Sequence, residues 1–157
     1  MFTVGDFVVC PGHGVGQVCD IDQREIRGEF KSFFVIKVLA NGLKMMIPED
    51  SANNVRGLVE TKEIDEVFHL LSDHEVDVDN STWNRRHREY MQKINTGSLL
   101  EIADVLRSLF LLKNVKSLSF GERKMLDLCK ELLTKEIALA KGDEEVQIIG
   151  KIEACFQ

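Results

Sequence analysis

The spacing of apolar residues changes once along the chain. Up to about residue 58 they come in short β-branched and aromatic runs, Phe7-Val8-Val9, Phe33-Phe34-Val35-Ile36 and Met45-Met46-Ile47, parted by glycine-bearing turns. This is the pattern of strands. Asn41-Gly42 falls between the run ending Val38-Leu39 and the run from Lys44 to Ile47, and it predicts a tight hairpin because both positions of such a turn want positive φ. Arg27-Gly28-Glu29 separates two further extended runs, and Pro48 ends the last clear strand. Four or five short strands with tight turns in so few residues imply a small bent barrel or open sheet.

From about residue 60 the period is helical. Thr61 precedes Ile64, Val67, Phe68 and Leu71, a short amphipathic helix. Ser98-Leu99-Leu100-Glu101 and Ser119-Phe120-Gly121-Glu122 both match the capping box, in which Ser and Glu side chains satisfy each other's orphan backbone donors. The second opens a long helix, with Leu126, Cys129, Leu132, Leu133, Ile137 and Ala140 on one face, that stops at Lys141-Gly142. Asp143 is then expected to cap a last helix carrying Val146, Ile149, Ile152 and Phe156. The polar, acidic stretch 72–81 reads as a linker or loop. There is no internal repeat.

Composition narrows the function classes. The 157 residues, 44% hydrophobic and 29% charged, are ordinary globular material with enough chain for one large core or two small ones. A net charge of −6 argues against a cationic surface that coats nucleic acid, so any such contact has to come from a local patch. Cys10, Cys19, Cys129 and Cys155 form no CxxC pair and no dense disulfide framework, which fits a reducing cytoplasm. The N-terminus MFTVGDFVVC lacks a basic n-region and is expected to be mature structure. No apolar run is long enough for a membrane helix; the richest, Leu99 to Leu112, is broken by Glu101, Asp104, Arg107 and Ser108.

Most of the candidate chemistry has a structural explanation. Gly12-His13-Gly14-Val15-Gly16 resembles a phosphate loop, but it lacks the Lys-Ser/Thr and the GxGxxG spacing, and no helical pattern follows. A tight β-turn explains it. Cys10, His13 and Cys19 offer three metal ligands without a fourth at finger spacing, so no metal and no cofactor are expected. His13, His69, His74 and His87 are scattered with no nucleophile motif beside them. The chain does not read as an enzyme, and no catalytic residue is assigned.

The exception is Trp83-Asn84-Arg85-Arg86-His87-Arg88-Glu89-Tyr90-Met91-Gln92-Lys93, which holds the sole Trp and the sole Tyr and carries +3 inside a chain of −6. Trp83, His87, Tyr90, Met91 and Ile94 share helical spacing and can form one buried face, with the arginines solvated opposite. Alternatively Trp83, near a helix start and between Asn80 and Asn84, is exposed. An exposed aromatic among arginines is how nucleic-acid proteins stack on or wedge between bases while cations hold phosphates. Both readings fit the residues.

Four motifs taken together extend this. Val4-Gly5-Asp6-x-Val8-Val9-x-Pro11-Gly12-His13-Gly14-Val15-Gly16, the Asn41-Gly42 to Ile47-Pro48 hairpin, Trp83-Asn84-Arg85-Arg86 and Leu118-Ser119-x-Gly121-Glu122-Arg123-Lys124-Met125-Leu126 resemble, in order and spacing, the CarD/CdnL family of bacterial RNA polymerase-binding transcription regulators. The likeness is to the CdnL branch, which has no extra DNA-binding tail; this chain ends at Gln157. The resemblance implies an α+β protein of two domains: a Tudor-like small β-barrel over residues 1–58, shared with the transcription-repair coupling factor, and a compact all-α domain of about five helices over 59–157. The first would bind the polymerase β subunit strand to strand through Val35, Lys37, Met46 and Pro48, with Arg24 nearby. Some members carry an arginine where this chain has Met46, so the contact here should be more apolar and less salt-sensitive. The second would contact promoter DNA at the upstream edge of the bubble, Trp83 wedging in the minor groove and Arg85, Arg86, Arg88 and Lys93 meeting phosphates with little sequence readout.

The resulting expectation is a cytoplasmic, monomeric, polymerase-tethered regulator that stabilises the open promoter complex. The competing expectation is a protein-interaction adaptor that docks on polymerase or a repair factor and uses its helices for a protein partner without touching DNA. Exposure of Trp83 discriminates between them.

Overall fold

The structure, a computed structural model, describes residues 2–79 and 81–157; Met1 and Asn80, the latter one of the polar neighbours of Trp83 named above, lie outside the described residues. The chain divides into two compact units, Met1–Leu58 and Val59–Gln157. The first is an antiparallel sheet of β1 (Phe7–Cys10), β2 (Gly14–Ile26), β3 (Glu29–Val38), β4 (Lys44–Pro48) and β5 (Arg56–Gly57), with a 3-10 turn at Glu49–Asn54. Strand order is β4-β3-β2-β1-β5. The second consists of α1 (Thr61–Ser72), α2 (Trp83–Asn95), α3 (Leu99–Lys113), α4 (Phe120–Lys141) and α5 (Glu145–Ala154). This is the expected α+β class. Among the described residues no helix is long and apolar enough to cross a membrane.

Turn chemistry in the sheet unit departs from the simple expectation. The two-residue turn with positive φ at both positions is Arg27-Gly28, at 55° and 82°, between paired Ile26 and Glu29. At the Asn41-Gly42 hairpin only Gly42 has positive φ, at 73°. That loop is longer: Val38 N–H donates to Leu43 O at 2.8 Å and Gly42 N–H to Val38 O at 2.8 Å. Asn41 serves instead as a side-chain acceptor, its Oδ1 taking the Leu43 N–H at 3.0 Å. Of the 12–16 glycine cluster, Gly12 and His13 belong to the β1–β2 turn and Gly14 to Gly16 already form the start of β2.

One face of the sheet forms its core from Val8, Cys10, Val18, Phe34 and Ile36, with Ala52 and Val55 against them. An irregularity between Val18 and Asp20 advances the β2 register by one residue, so that Val18 pairs with Ile36 but Asp20 with Val35. Gly16 has no room for a side chain: a Cβ there would lie 2.6 Å from Ile36 Cγ2 and 3.1 Å from Lys37 O.

The helical unit is built around α3. Leu99, Ile102, Ala103, Val105, Leu106, Leu109 and Leu112 are all buried on it, more than one face's worth, so α3 is surrounded by other elements. Ile64, Val67 and Leu71 of α1, Tyr90 and Ile94 of α2, Cys129, Leu133 and Ile137 of α4, and Ile148 and Ile152 of α5 complete this core. Each such fully buried aliphatic side chain contributes about 1.5–3 kcal/mol. Of the helix starts, Ser119 and Glu122 form the full capping box. Ser98 accepts from Glu101 N–H at 3.4 Å, but its own N–H goes to Thr96 Oγ1, so only half of that box exists. Gly142 closes α4 at φ 70°. The cap of α5 falls on Glu144, paired reciprocally with Gln147, one residue later than expected. Asp143 N–H instead donates to Ala138 O at 3.0 Å, finishing α4.

Ser72 closes α1, and the described residues 73–79 and 81–82 of the polar stretch lie between α1 and α2 inside the helical unit. It is held there: the His74 ring stacks on Phe156 at 5.2 Å, and Phe156 stacks on Phe110 at 4.2 Å.

Gly16→Ala is expected to destabilise the sheet unit by about 1–3 kcal/mol through overpacking against β3. Denaturant titration of the full chain checks it; an unchanged midpoint would show that β2 and β3 can separate without penalty.

Candidate functional site

Cross-strand partners in an antiparallel pair point to the same side of the sheet. Val35 lies opposite Met46, Lys37 opposite Lys44 and Phe33 opposite Pro48. Phe34 and Ile36 alternate with them and face the core. Val35, Lys37, Met46 and Pro48 therefore share the outer face, and Arg24, paired with Lys31 in register with the same alternation, lies on it too. The structure thus gathers all five sequence-predicted docking residues on one surface. Met46 is 42% exposed, so it is not core packing. Lys37 and Arg24 are exposed, Val35 and Pro48 half-buried, and Arg24 Nε lies 3.1 Å from Asp22 Oδ2. β4 ends the strand order, leaving one row of backbone N–H and C=O groups without a strand partner among the described residues.

Trp83 opens α2 and is half-buried. The two readings of its helix divide along its length. Tyr90 and Ile94 enter the core, whereas His87 is exposed and the indole is only partly covered. The edge of that indole rests on the backbone of Gly121, near the start of α4, where a Cβ would stand 3.1 Å from Nε1 and 3.3 Å from Cζ2. The Arg86 guanidinium carbon sits 5.2 Å from the Trp83 ring centroid. His87 meets the same ring edge-on at 5.3 Å.

The four cations of the sequence patch have different environments. Arg85 is 74% exposed, with Glu89 one turn away at 3.5 Å. Arg88 is exposed and makes no ion pair among the described residues. Lys93 is half-buried and paired with Asp104, which also takes Arg107 at 2.8 Å. Arg86 is the correction: at 3% exposure it is not a surface cation. Its Nη2 donates to Glu122 Oε2 at 2.8 Å and its Nε to Ser81 O at 3.0 Å. Burial pulls a guanidinium out of water, and the fixed partner is what makes that tolerable.

Glu122 is equally enclosed, at 1% exposure. Burial by itself would raise its carboxyl, but the Ser119 N–H at 2.8 Å, Arg86 and Lys116 at 3.3 Å outweigh it and hold the group at about 2. One residue thus caps α4, clamps Arg86 and, through Arg86, backs the face of Trp83.

Comparison with known proteins follows the same division of the chain. Residues 2–59 match the family model described as "CarD-like/TRCF RID domain", and residues 66–153 match "CarD, C-terminal domain". The chain belongs to the CarD/CdnL family. The putative transcription factor YdeB of Bacillus subtilis (strain 168) is 33% identical over 150 residues, covering 94% of this chain and 97% of that one. A solved structure described as "CdnLNt from Myxoccoccus xanthus" is 44% identical over 32% of this chain and 70% of its own, with a TM-score of 0.30. Within this family the sheet unit is the Tudor-like RID domain and the five helices are the CarD C-terminal domain.

Reading the CarD C-terminal segment from sequence missed Gly121 and Glu122 as parts of the Trp83 site. The capping box accounted for Glu122 so completely that its second partner had no signal. Gly121 did carry one: glycine in the first turn of a long helix costs about 1 kcal/mol against alanine, which points to a close approach by something else.

Glu122→Gln is expected to destabilise the helical unit by about 3 kcal/mol at neutral pH, because Arg86 is left buried without an anion. The Glu122 carboxyl is depressed from 4.5 to about 2, so the stabilisation is complete above pH 4.5 and disappears as pH falls toward 2. The gap between wild type and variant should close over that window in unfolding followed by Trp83 fluorescence; a gap constant with pH would exclude the ionised pair as its source.

Proposed function

We propose that this CarD/CdnL family protein is a non-enzymatic transcription regulator that docks on the RNA polymerase β subunit through its RID domain and stabilises the open promoter complex through Trp83. The observation that carries the reading is a partly buried indole fixed against Gly121 and Arg86 beside the exposed cations Arg85 and Arg88. The family match and the description of YdeB as a putative transcription factor support the transcriptional setting.

Docking uses the β4 edge. A partner strand added there gains main-chain hydrogen bonds in register, while Val35 and Met46 supply side-chain contact on the outer face. Because Met46 is apolar, the contact depends little on salt. Lys37 and Arg24 lie at the same face, and Pro48 terminates the available backbone donors.

At the promoter, Trp83 enters the minor groove at the upstream edge of the bubble and stacks on a distorted base step. Rigidity matters here, since a ring already held by Gly121 and Arg86 loses little freedom on insertion. Arg88 and Arg85 meet the phosphates, Lys93 contributes what its pairing with Asp104 leaves, and Arg86 acts through the indole. Base–aromatic stacking contributes about 1–3 kcal/mol per base. That corresponds to roughly a 5- to 150-fold shift in open-complex population. Phosphate contact and wedging carry little base information, so promoter choice rests with polymerase. Most of the chain repels DNA at its net −6, and polymerase supplies the protein at high local concentration.

Trp83→Ala should shorten open-complex lifetime on a weak promoter about fivefold or more while leaving polymerase retention unchanged. An unchanged lifetime with the fold intact rules out the wedge. The Val35→Ala, Met46→Ala pair should weaken pull-down of the β subunit about tenfold, with similar loss at low and high salt. Retention equal to wild type would move the docking surface elsewhere.

A further inference from the structure

Phe120 is the first helical residue of α4 and is 67% exposed. It precedes Gly121, the residue on which the Trp83 indole rests. Lys124, one turn along α4, places its ammonium 4.7 Å from the Phe120 ring centroid. Lys113 at the end of α3, Lys116 on the connection and Arg123 in α4 line an open cavity of about 470 Å³ together with Leu118, Leu126 and Asp127. From residue 113 to 124 the one carboxylate is Glu122, buried and paired with Arg86 and Lys116, and Asp127 is the carboxylate of the cavity itself. Phe120 thus carries Lys124 on its ring and stands next to a cavity whose cations outnumber its carboxylate, in a chain of net −6.

A second exposed apolar side chain on this connection, Val115 at 65%, stands among the same cations. A helix or strand of another protein seeks a contiguous apolar strip, whereas alternating cations and single rings suit a polyanion with flat apolar bases. We propose that Phe120 is a second base-contacting side chain, stacking on an unpaired base of single-stranded DNA next to the step engaged by Trp83, with Lys124 at the adjoining phosphate. The inference rests on the reading of Trp83 as a DNA contact. One face of the Phe120 ring is backed by Lys124, as Trp83 is backed by Arg86, and the other face remains for a base. Two cation-backed rings on two helices, joined through Gly121, form one platform for the melted strand.

The test is fluorescence anisotropy with the full chain at low salt, using a labelled duplex and the same duplex carrying a central non-complementary bubble. Phe120→Ala, with unchanged circular dichroism, should weaken bubble binding about fivefold or more and duplex binding less than twofold, Phe120→Trp should preserve both, and Phe120→Leu should behave like alanine. Wild-type bubble binding by Phe120→Ala, alongside a loss for Trp83→Ala, overturns the role of Phe120 and leaves that of Trp83 standing. No loss from either variant overturns both. Equal losses on bubble and duplex, or full affinity with leucine, exclude base stacking by Phe120.

Discussion

The helical unit depends on one buried ion pair. Arg86 and Glu122 lie 36 positions apart in sequence and 2.8 Å apart in space, at 3% and 1% exposure. Removing two charges from water costs several kcal/mol for each, and only near-complete satisfaction recovers it. Glu122 reaches that state with the Ser119 N–H, Lys116 and Arg86, whereas Arg86 gains the Ser81 carbonyl but keeps a buried Nη1 with no hydrogen-bond partner among the described residues. A pair this demanding permits one geometry. It sets the start of α2 against the start of α4, and so sets where the indole of Trp83 can lie.

The consequence is a surface ring with an internal support. Arg86 covers one side of Trp83 without being exposed, while Gly121 admits the indole edge at a distance that a Cβ would crowd, at 3.1 Å from Nε1. Two segments recognised separately along the chain, one around Trp83 and one around Ser119, are thus halves of one arrangement. Their joint presence in a protein follows from packing: either half alone leaves a buried charge or an unsupported ring. The family match across 66–153 encloses both.

The sheet unit meets a different constraint. Period-two alternation sends Phe34 and Ile36 to the core and Val35 and Lys37 outward, and the irregularity after Val18 keeps β2 in phase with that division. Placing β4 at the end of the strand order leaves its outer backbone row, beside Met46 and Pro48, unpaired among the described residues. An edge that is short and ends in proline resists uncontrolled pairing yet remains able to take one correct strand.

Periodicity and local turn chemistry determined much by themselves. The change of period near residue 58, the strand runs, the capping box at Ser119 and the glycine stop at Gly142 are set by interactions within a few residues, so they were legible in the chain. The outer-face grouping of Val35, Lys37, Met46 and Pro48 was legible for the same reason, given a resemblance to indicate which strands mattered. What the tertiary structure decided is which cations of the +3 patch reach solvent. Helical spacing sets Arg86 on the Tyr90 and Ile94 stripe and Arg88 off it, but a stripe position alone does not say that an arginine is buried there or what neutralises it. That is decided by Glu122, and Lys93 is likewise held by Asp104 of another helix. A charge is buried or free according to partners distant in sequence, and no periodicity encodes those.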